Sequence, residues 1–276
     1  MKKFTLILTI VATVCMIAAA ADFSPEYKKA VKAYNSAYYD SALEQFKAIV
    51  ASDPTDGYSW AYIARIEQYN KQNDEAIAAD RKALDYVPET DSLFRASLLE
   101  NIAFSYRGKG DTATALTYLD RAIKLAPTYY DYRYSRAHWY MMASNYAKAE
   151  SDYRYLSQAD TLNADGWMGL GSVLDYQGKP QEALLAYDQA VMRFPNDDGA
   201  VSYRAGQYFN LHNYDAAMTD AIRSLELRHD NKHALWIIKN IYANDSTIVT
   251  KKLEAKRDSD PANGRFWQSI IEQAKP

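Results

Sequence analysis

Two histidines, His229 and His233, stand four residues apart, a spacing that on one helix would set both imidazoles on one face as metal ligands. Asp230 and Asn231 lie between them and favour turns, so the pair is expected to straddle a loop in a structural or solvated role. His138 and His212 are far from each other in the chain, and neither a G-x-S-x-G nor an H-E-x-x-H pattern occurs. Residues 167–179, WMGLGSVLDYQGK, hold three glycines that could cradle a phosphate. A dinucleotide fingerprint places its third glycine three residues after the second, and here that place is Leu174. No lysine–hydroxyl pair follows Gly178 as in a phosphate loop. Carboxylates are numerous but scattered over polar helix positions and turns, as on a solvated face. The expectation is a chain with no metal site, no cofactor and no catalytic set.

What must the surrounding elements be? The chain has 276 residues, 48% hydrophobic and 24% charged, so it can fold. Tyrosine is the anomaly, with 24 Tyr against 8 Phe, so much of its apolar surface carries a hydroxyl that seeks water. Residues 1–21 have a basic head (Lys2, Lys3), an uncharged apolar run and an Ala18-Ala19-Ala20 end before Asp22. That pattern reads as a signal peptide cleaved on export, to the periplasm or cell envelope. A retained anchor is the competing reading, because the uncharged stretch just reaches across a bilayer. Cleavage leaves no stable membrane span, and it removes Cys15, leaving neither disulfide nor thiolate chemistry. It also removes two of the 32 basic residues, leaving 30 against 35 acidic ones, a net charge of −5. Such a chain is a poor partner for nucleic acid. Nothing in the composition sets an oligomeric state.

A fixed interval runs through the rest. Pro54 to Pro88 is a step of 34 residues, and Pro127, Thr161, Pro195 and His229 repeat it. The step from Pro88 to Pro127 is 39, which implies about five extra residues near 87–94 as a longer turn or helix start. An alanine stands 12 residues before each marker: Ala42, Ala76, Ala115, Ala149, Ala183 and Ala217. Four residues after it comes Phe46, Leu119, Tyr153 or Tyr187, with Asp80 and Ala221 departing. Within one unit, Trp167, Leu170, Gly171 and Leu174 share a helical face, Gly178 ends that helix, and Pro180 opens the next. Gly171 and Ala183 are small where two helices must cross closely, whereas Gly169 reads as a permissive surface position. Each unit is then a helical hairpin that must stack on its neighbours to bury its apolar stripe.

The pattern Trp167-x2-Leu170-Gly171…Ala183-x3-Tyr187…Pro195 resembles the tetratricopeptide repeat, W-x2-L-G-x2-Y…A-x3-F…P. It departs at Leu174, where Tyr is commoner; Tyr106, Tyr140 and Tyr208 fill that place in other copies. The resemblance implies an all-α, right-handed superhelical solenoid of antiparallel helix hairpins over residues 22–276. Six repeats are clear. A divergent seventh falls near 231–263, where Asp245-Ser246-Thr247 interrupts the pattern, and a capping helix near 264–274 closes the array.

The resemblance also implies a function. In this family the first helices of successive hairpins line a groove for an extended peptide or a partner helix. Mapped here, that face is Tyr34, Arg65, Tyr69, Phe104, Arg107, Tyr134, His138, Met141, Tyr176, Phe209 and Trp236, with Tyr27, Glu100, Met168, Ser172, Gly206 and Asn240 beside them. It lacks the Lys/Asn/Arg set with which one branch of the family clamps a C-terminal carboxylate. The expectation is a non-enzymatic scaffold that binds a protein or peptide on an aromatic surface. A glycan-binding accessory of the envelope is the alternative, since aromatic faces also suit sugars. Asp40-Ser41-Ala42, Asp91-Ser92-Leu93, Asp111-Thr112-Ala113 and Asp160-Thr161-Leu162 resemble glycosylation acceptors of exported Bacteroidetes proteins, although helix capping explains Asp and Ser/Thr at such turns more simply.

Overall fold

The computed structural model describes residues 23–159 and 163–275. The segment read as a signal peptide, Thr161 and the Asp160-Thr161-Leu162 motif lie outside them. Among the described residues there are fifteen α-helices and no strand. In chain order they are α1 (Pro25–Asn35), α2 (Tyr39–Ser52), α3 (Gly57–Tyr69), α4 (Asn73–Tyr86), α5 (Ser92–Gly108), α6 (Thr112–Leu125), α7 (Tyr130–Met142) and α8 (Tyr146–Gln158). Then come α9 (Asp165–Tyr176), α10 (Pro180–Arg193), α11 (Asp198–Asn210), α12 (Tyr214–Leu227), α13 (Lys232–Asn244), α14 (Ser246–Ser259) and α15 (Gly264–Ala274). The chain forms two compact units, one ending at Arg136 and the other beginning at Ala137 within α7.

One turn recurs in both units. Ala37, Lys71, Gly110, Ser144, Gly178 and His212 each adopt a left-handed φ between 57° and 85°. After each, a backbone N–H reaches back five residues: Tyr38 to Ala33, Gln72 to Glu67, Asp111 to Tyr106, Asn145 to Tyr140, Lys179 to Leu174 and Asn213 to Tyr208, at 2.8–3.0 Å. This is the Schellman ending of a helix, and it folds the second helix back on the first. The seventh hairpin is joined differently. Asp245 ends α13 and caps α14 at once, accepting from the N–H groups of Thr247 and Ile248 at 3.0 and 3.1 Å.

The repeated alanines are the contact points. Ala42, Ala76, Ala115, Ala149, Ala183 and Ala217 are all completely buried. Any larger side chain there would push packed helices apart. The 39-residue step is resolved as well. α5 has 17 residues against 13 in α3, so most of the insertion is an extra turn at the start of α5. Asp91 caps it by accepting from the Phe94 N–H, and Asp111 caps α6 through the Thr114 N–H. Two of the Asp–hydroxyl motifs are therefore helix caps; Asp40 instead lies in the first turn of α2, whose cap position is Tyr38.

The WMGLG segment sits between two tyrosines of equivalent register. A Cβ at Gly171 would lie 2.5 Å from the Tyr187 ring, within its own hairpin. Gly169 corrects the surface reading given to it: it is buried, and a Cβ there would come within 2.1 Å of the Tyr153 ring. The glycines are packing residues, and Gly178, at φ 74°, is the turn.

Candidate binding faces

In the first unit, first helices α1, α3 and α5 and the start of α7 carry Tyr34, Arg65, Tyr69, Phe104, Arg107 and Tyr134. Tyr69 is 68% exposed and the others are half-buried. Tyr34 meets Tyr62 and Tyr39 edge-on at 4.9 and 5.5 Å, and Tyr39 continues to Tyr69 at 4.6 Å. These rings form one connected aromatic strip. Burial raises the pKa of the Tyr34 phenol, while the nearby Arg65 guanidinium opposes the rise.

Two residues of the same register lie beneath this face rather than on it. Tyr27 is 5% exposed and stacks on Phe23 at 4.1 Å, with Phe46 and Tyr62 against its edges. Glu100 is 2% exposed, and its carboxylate accepts a long 3.4 Å bond from the Ser135 hydroxyl. Burial pushes its pKa up to about 8, helped by Asp131 and opposed by Ser135 and Arg65. Asp80, buried at the register of Phe46, Tyr153 and Tyr187, is raised well above the usual range by the same cause. Helical register gives the side of the helix a residue faces. It does not say that the next helix covers that side, and at Tyr27 and Glu100 neighbouring side chains do.

In the second unit, α7, α9, α11 and α13 carry His138, Met141, Tyr176, Phe209 and Trp236. Tyr176 is 66% and Trp236 51% exposed; the rest are half-buried. Tyr176 stacks on Tyr146 at 5.7 Å. Phe209 and Trp236 meet edge-on at 6.0 Å, and His233 lies nearly parallel to Trp236 at 6.0 Å. Tyr203 joins His233 at 5.4 Å and Tyr187 at 5.9 Å, so the shelf runs from Tyr187 to Trp236. Tyr203 and His233 were missed by the register mapping. Gly206 was the available signal: a Cβ there would lie 3.3 Å from the His233 ring, so the glycine makes the seat for it.

His229 stacks on Phe266 at 4.2 Å, while His233 belongs to α13 and contacts the Ser202 hydroxyl at 3.3 Å. The two therefore straddle the loop before α13. Among the described residues, no cluster of His, Cys, Asp and Glu has the arrangement of a metal site. No described helix is long and apolar enough to cross a membrane.

Profiles of the tetratricopeptide repeat match residues 58–128, 102–164 and 164–197, together spanning 58–197 without a gap. The chain belongs to the tetratricopeptide repeat family. Its fold is correspondingly similar to the C-terminal part of a TPR repeat-containing protein from Cytophaga hutchinsonii, with TM-score 0.66 and 16% identity, over 91% of this chain and 100% of that one. A tetratricopeptide repeat protein from Parabacteroides merdae superposes with TM-score 0.63 and 18% identity, covering 91% and 99%. YrrB, described as a TPR protein with an unusual peptide-binding site, superposes with TM-score 0.51 and 16% identity, covering 70% and 97%. A search of curated proteins returns no match. Such a repeat architecture is that of a protein-interaction scaffold, and repeats of this family bind protein or peptide partners.

Proposed function

We propose that the chain is an exported, envelope-located scaffold that binds extended polypeptide on the aromatic first-helix faces of its two units. The observation that carries the reading is the exposure of large rings at groove positions: Tyr69, Tyr176 and Trp236 each leave half or more of their surface to solvent. Exposed rings of this size cost solvation unless a partner covers them, and they bring contact area at small entropy cost. Met141 and Met142, at the end of α7, add adaptable contacts. A likeness in fold to a peptide-binding relative is compatible with this reading and does not transfer its specificity. The leader-like first 21 residues support export.

A random-peptide display against the purified chain tests the binding reading. Enriched peptides are expected to lose at least tenfold in affinity on Tyr69→Ala or Trp236→Ala, and to be unaffected by Tyr155→Ala on second helix α8. Peptides that bind all three variants equally would refute it. The half-exposed Trp236, with Phe209 and His233 around it, is also a surface a sugar ring could stack on. Saccharide binding lost in Trp236→Ala, with no peptide enriched, would establish the glycan-binding alternative. Export is tested separately, by cell fractionation and the N-terminal sequence of the mature protein.

A further inference from the structure

Several arginines of this chain are paired with carboxylates. Arg136 meets Asp120 at 2.6 Å, Arg204 meets Asp220 at 2.7 Å, and Arg228 meets Asp198 at 2.8 Å. One place gathers several cations that are not. On the second-helix side of the first unit, α4, α5 and α6 enclose an open cleft of about 840 Å³ lined by Arg81, Arg95, Arg121 and Lys124. Among the described residues, none of these four has a carboxylate within ion-pair distance.

Their positions are set by neutral groups instead. Arg81 Nη2 donates to the hydroxyls of Tyr106 and Tyr118 at 2.9 and 3.2 Å. Arg121 lies over the face of the same Tyr118 ring, 5.1 Å from its centre. One tyrosine therefore holds two guanidinium groups, one at its hydroxyl and one over its ring, without cancelling either charge. Arg95 stands on the extra first turn of α5 and donates to the carbonyls of Leu84 and Val87 at 2.8 and 2.7 Å. It closes the C-terminal end of α4 and builds a wall of the cleft. The five additional residues of this repeat, unexplained by the packing rule, thus bring a cation to the cleft. Cations in the last turn of α6 also suit the helix dipole, but that accounts for Lys124 and not for Arg81 or Arg95.

We propose that this cleft binds an acidic segment of a polypeptide, through carboxylates spaced to reach Arg81 and the Arg121–Lys124 pair. Leu84, Leu99 and Leu125 provide an apolar floor for a side chain between the acids. Asp85 and Glu89 also line the cleft, leaving it a net charge of +2. Those two carboxylates repel a continuous phosphate backbone, whereas a peptide can place an amide or a cation opposite them. The whole chain is net negative, so a cluster of unpaired cations singles out this cleft for anions. The site is separate from the aromatic faces and does not depend on what they bind.

The test titrates full-length protein against a fluorescein-labelled octapeptide of Glu, Asp and Leu, with the same peptide in Gln and Asn as control. The acidic peptide is expected to bind, and to weaken at least tenfold in Arg121→Gln/Lys124→Gln. Both side chains are exposed, and a thermal melt checks that the variant stays folded. Lys28→Gln/Lys32→Gln on α1 is expected to bind as wild type, as is Trp236→Ala. Equal binding of the amide peptide would overturn the assignment, as would an unaffected Arg121→Gln/Lys124→Gln protein. Inorganic tripolyphosphate that binds without displacing the acidic peptide would likewise overturn it.

Discussion

Replacing Glu100 with Gln should turn a pH-dependent protein into a flatter one. Glu100 is 2% exposed, and burial lifts its pKa from 4.5 to about 8. Between those two values the folded chain holds a proton that the unfolded chain has released. Stability from this group is therefore fully present below about pH 4.5 and falls as pH rises through 8. At 1.36 kcal/mol per pH unit, the whole displacement amounts to on the order of 5 kcal/mol. Gln keeps the shape and the Ser135 contact but has no proton to lose. Urea unfolding of wild type and Glu100→Gln, followed by circular dichroism from pH 5 to pH 9, measures the difference. The variant should gain at least about 2 kcal/mol on wild type at pH 9 and less than about 1 kcal/mol at pH 5. Asp80, whose pKa is raised by the same cause, slopes both proteins the same way and drops out of the comparison. A difference that does not change with pH would refute the reasoning, because it would mean Glu100 is not protonated in the folded chain near neutral pH.

Other consequences follow from the repeat geometry. Gly169→Ala places a Cβ within 2.1 Å of the buried Tyr153 ring and should cost about 1–3 kcal/mol, read from the urea midpoint. Lys71→Gly should instead stabilise by about 1 kcal/mol in the same assay, because Lys71 pays for a φ of 62° that glycine adopts freely. Tyr38, at the cap position of α2, makes no side-chain cap bond, whereas Asn145 and Asn213 do so at the equivalent turns of α8 and α12. Tyr38→Asn should therefore raise the thermal midpoint, with a gain of about 1 kcal/mol.

The architecture was readable because it rests on small residues at fixed spacing. Each repeated alanine proves to be fully buried, and a pattern of that kind survives in the sequence of any one chain. The turns were readable only where they use glycine. Gly110 and Gly178 announce a left-handed residue, but Ala37, Lys71, Ser144 and His212 adopt the same φ without any signal of their own, held there by the helices they join. Gly169 was misread because the residue that needs it small, Tyr153, belongs to the preceding hairpin. Tyr27 and Glu100 were placed on the binding face because register ignores what packs above a position. The cationic cleft had no local signature at all: its cations come from three helices, and its defining property is that they are held by tyrosines and carbonyls rather than by ion pairs.

The excess of tyrosine over phenylalanine divides along these lines. Part of it is structural, with hydroxyls that tie one helix to another. Tyr187 lies over Gly171 while its hydroxyl meets the Ser172 hydroxyl at 3.1 Å. Tyr58 donates to the Asp91 carboxylate at 3.2 Å, and Tyr106 and Tyr118 accept from Arg81. Phenylalanine would fill the same volume at these places but leave the polar partner without its bond. Tyr69 and Tyr176 are different, since each turns about two-thirds of its surface to solvent and sets its ring against another tyrosine rather than into the core. Tyrosine count alone therefore says little about binding. The ring that is both exposed and braced by another ring is the one positioned to receive a partner, and in this chain that description fits few of the 24.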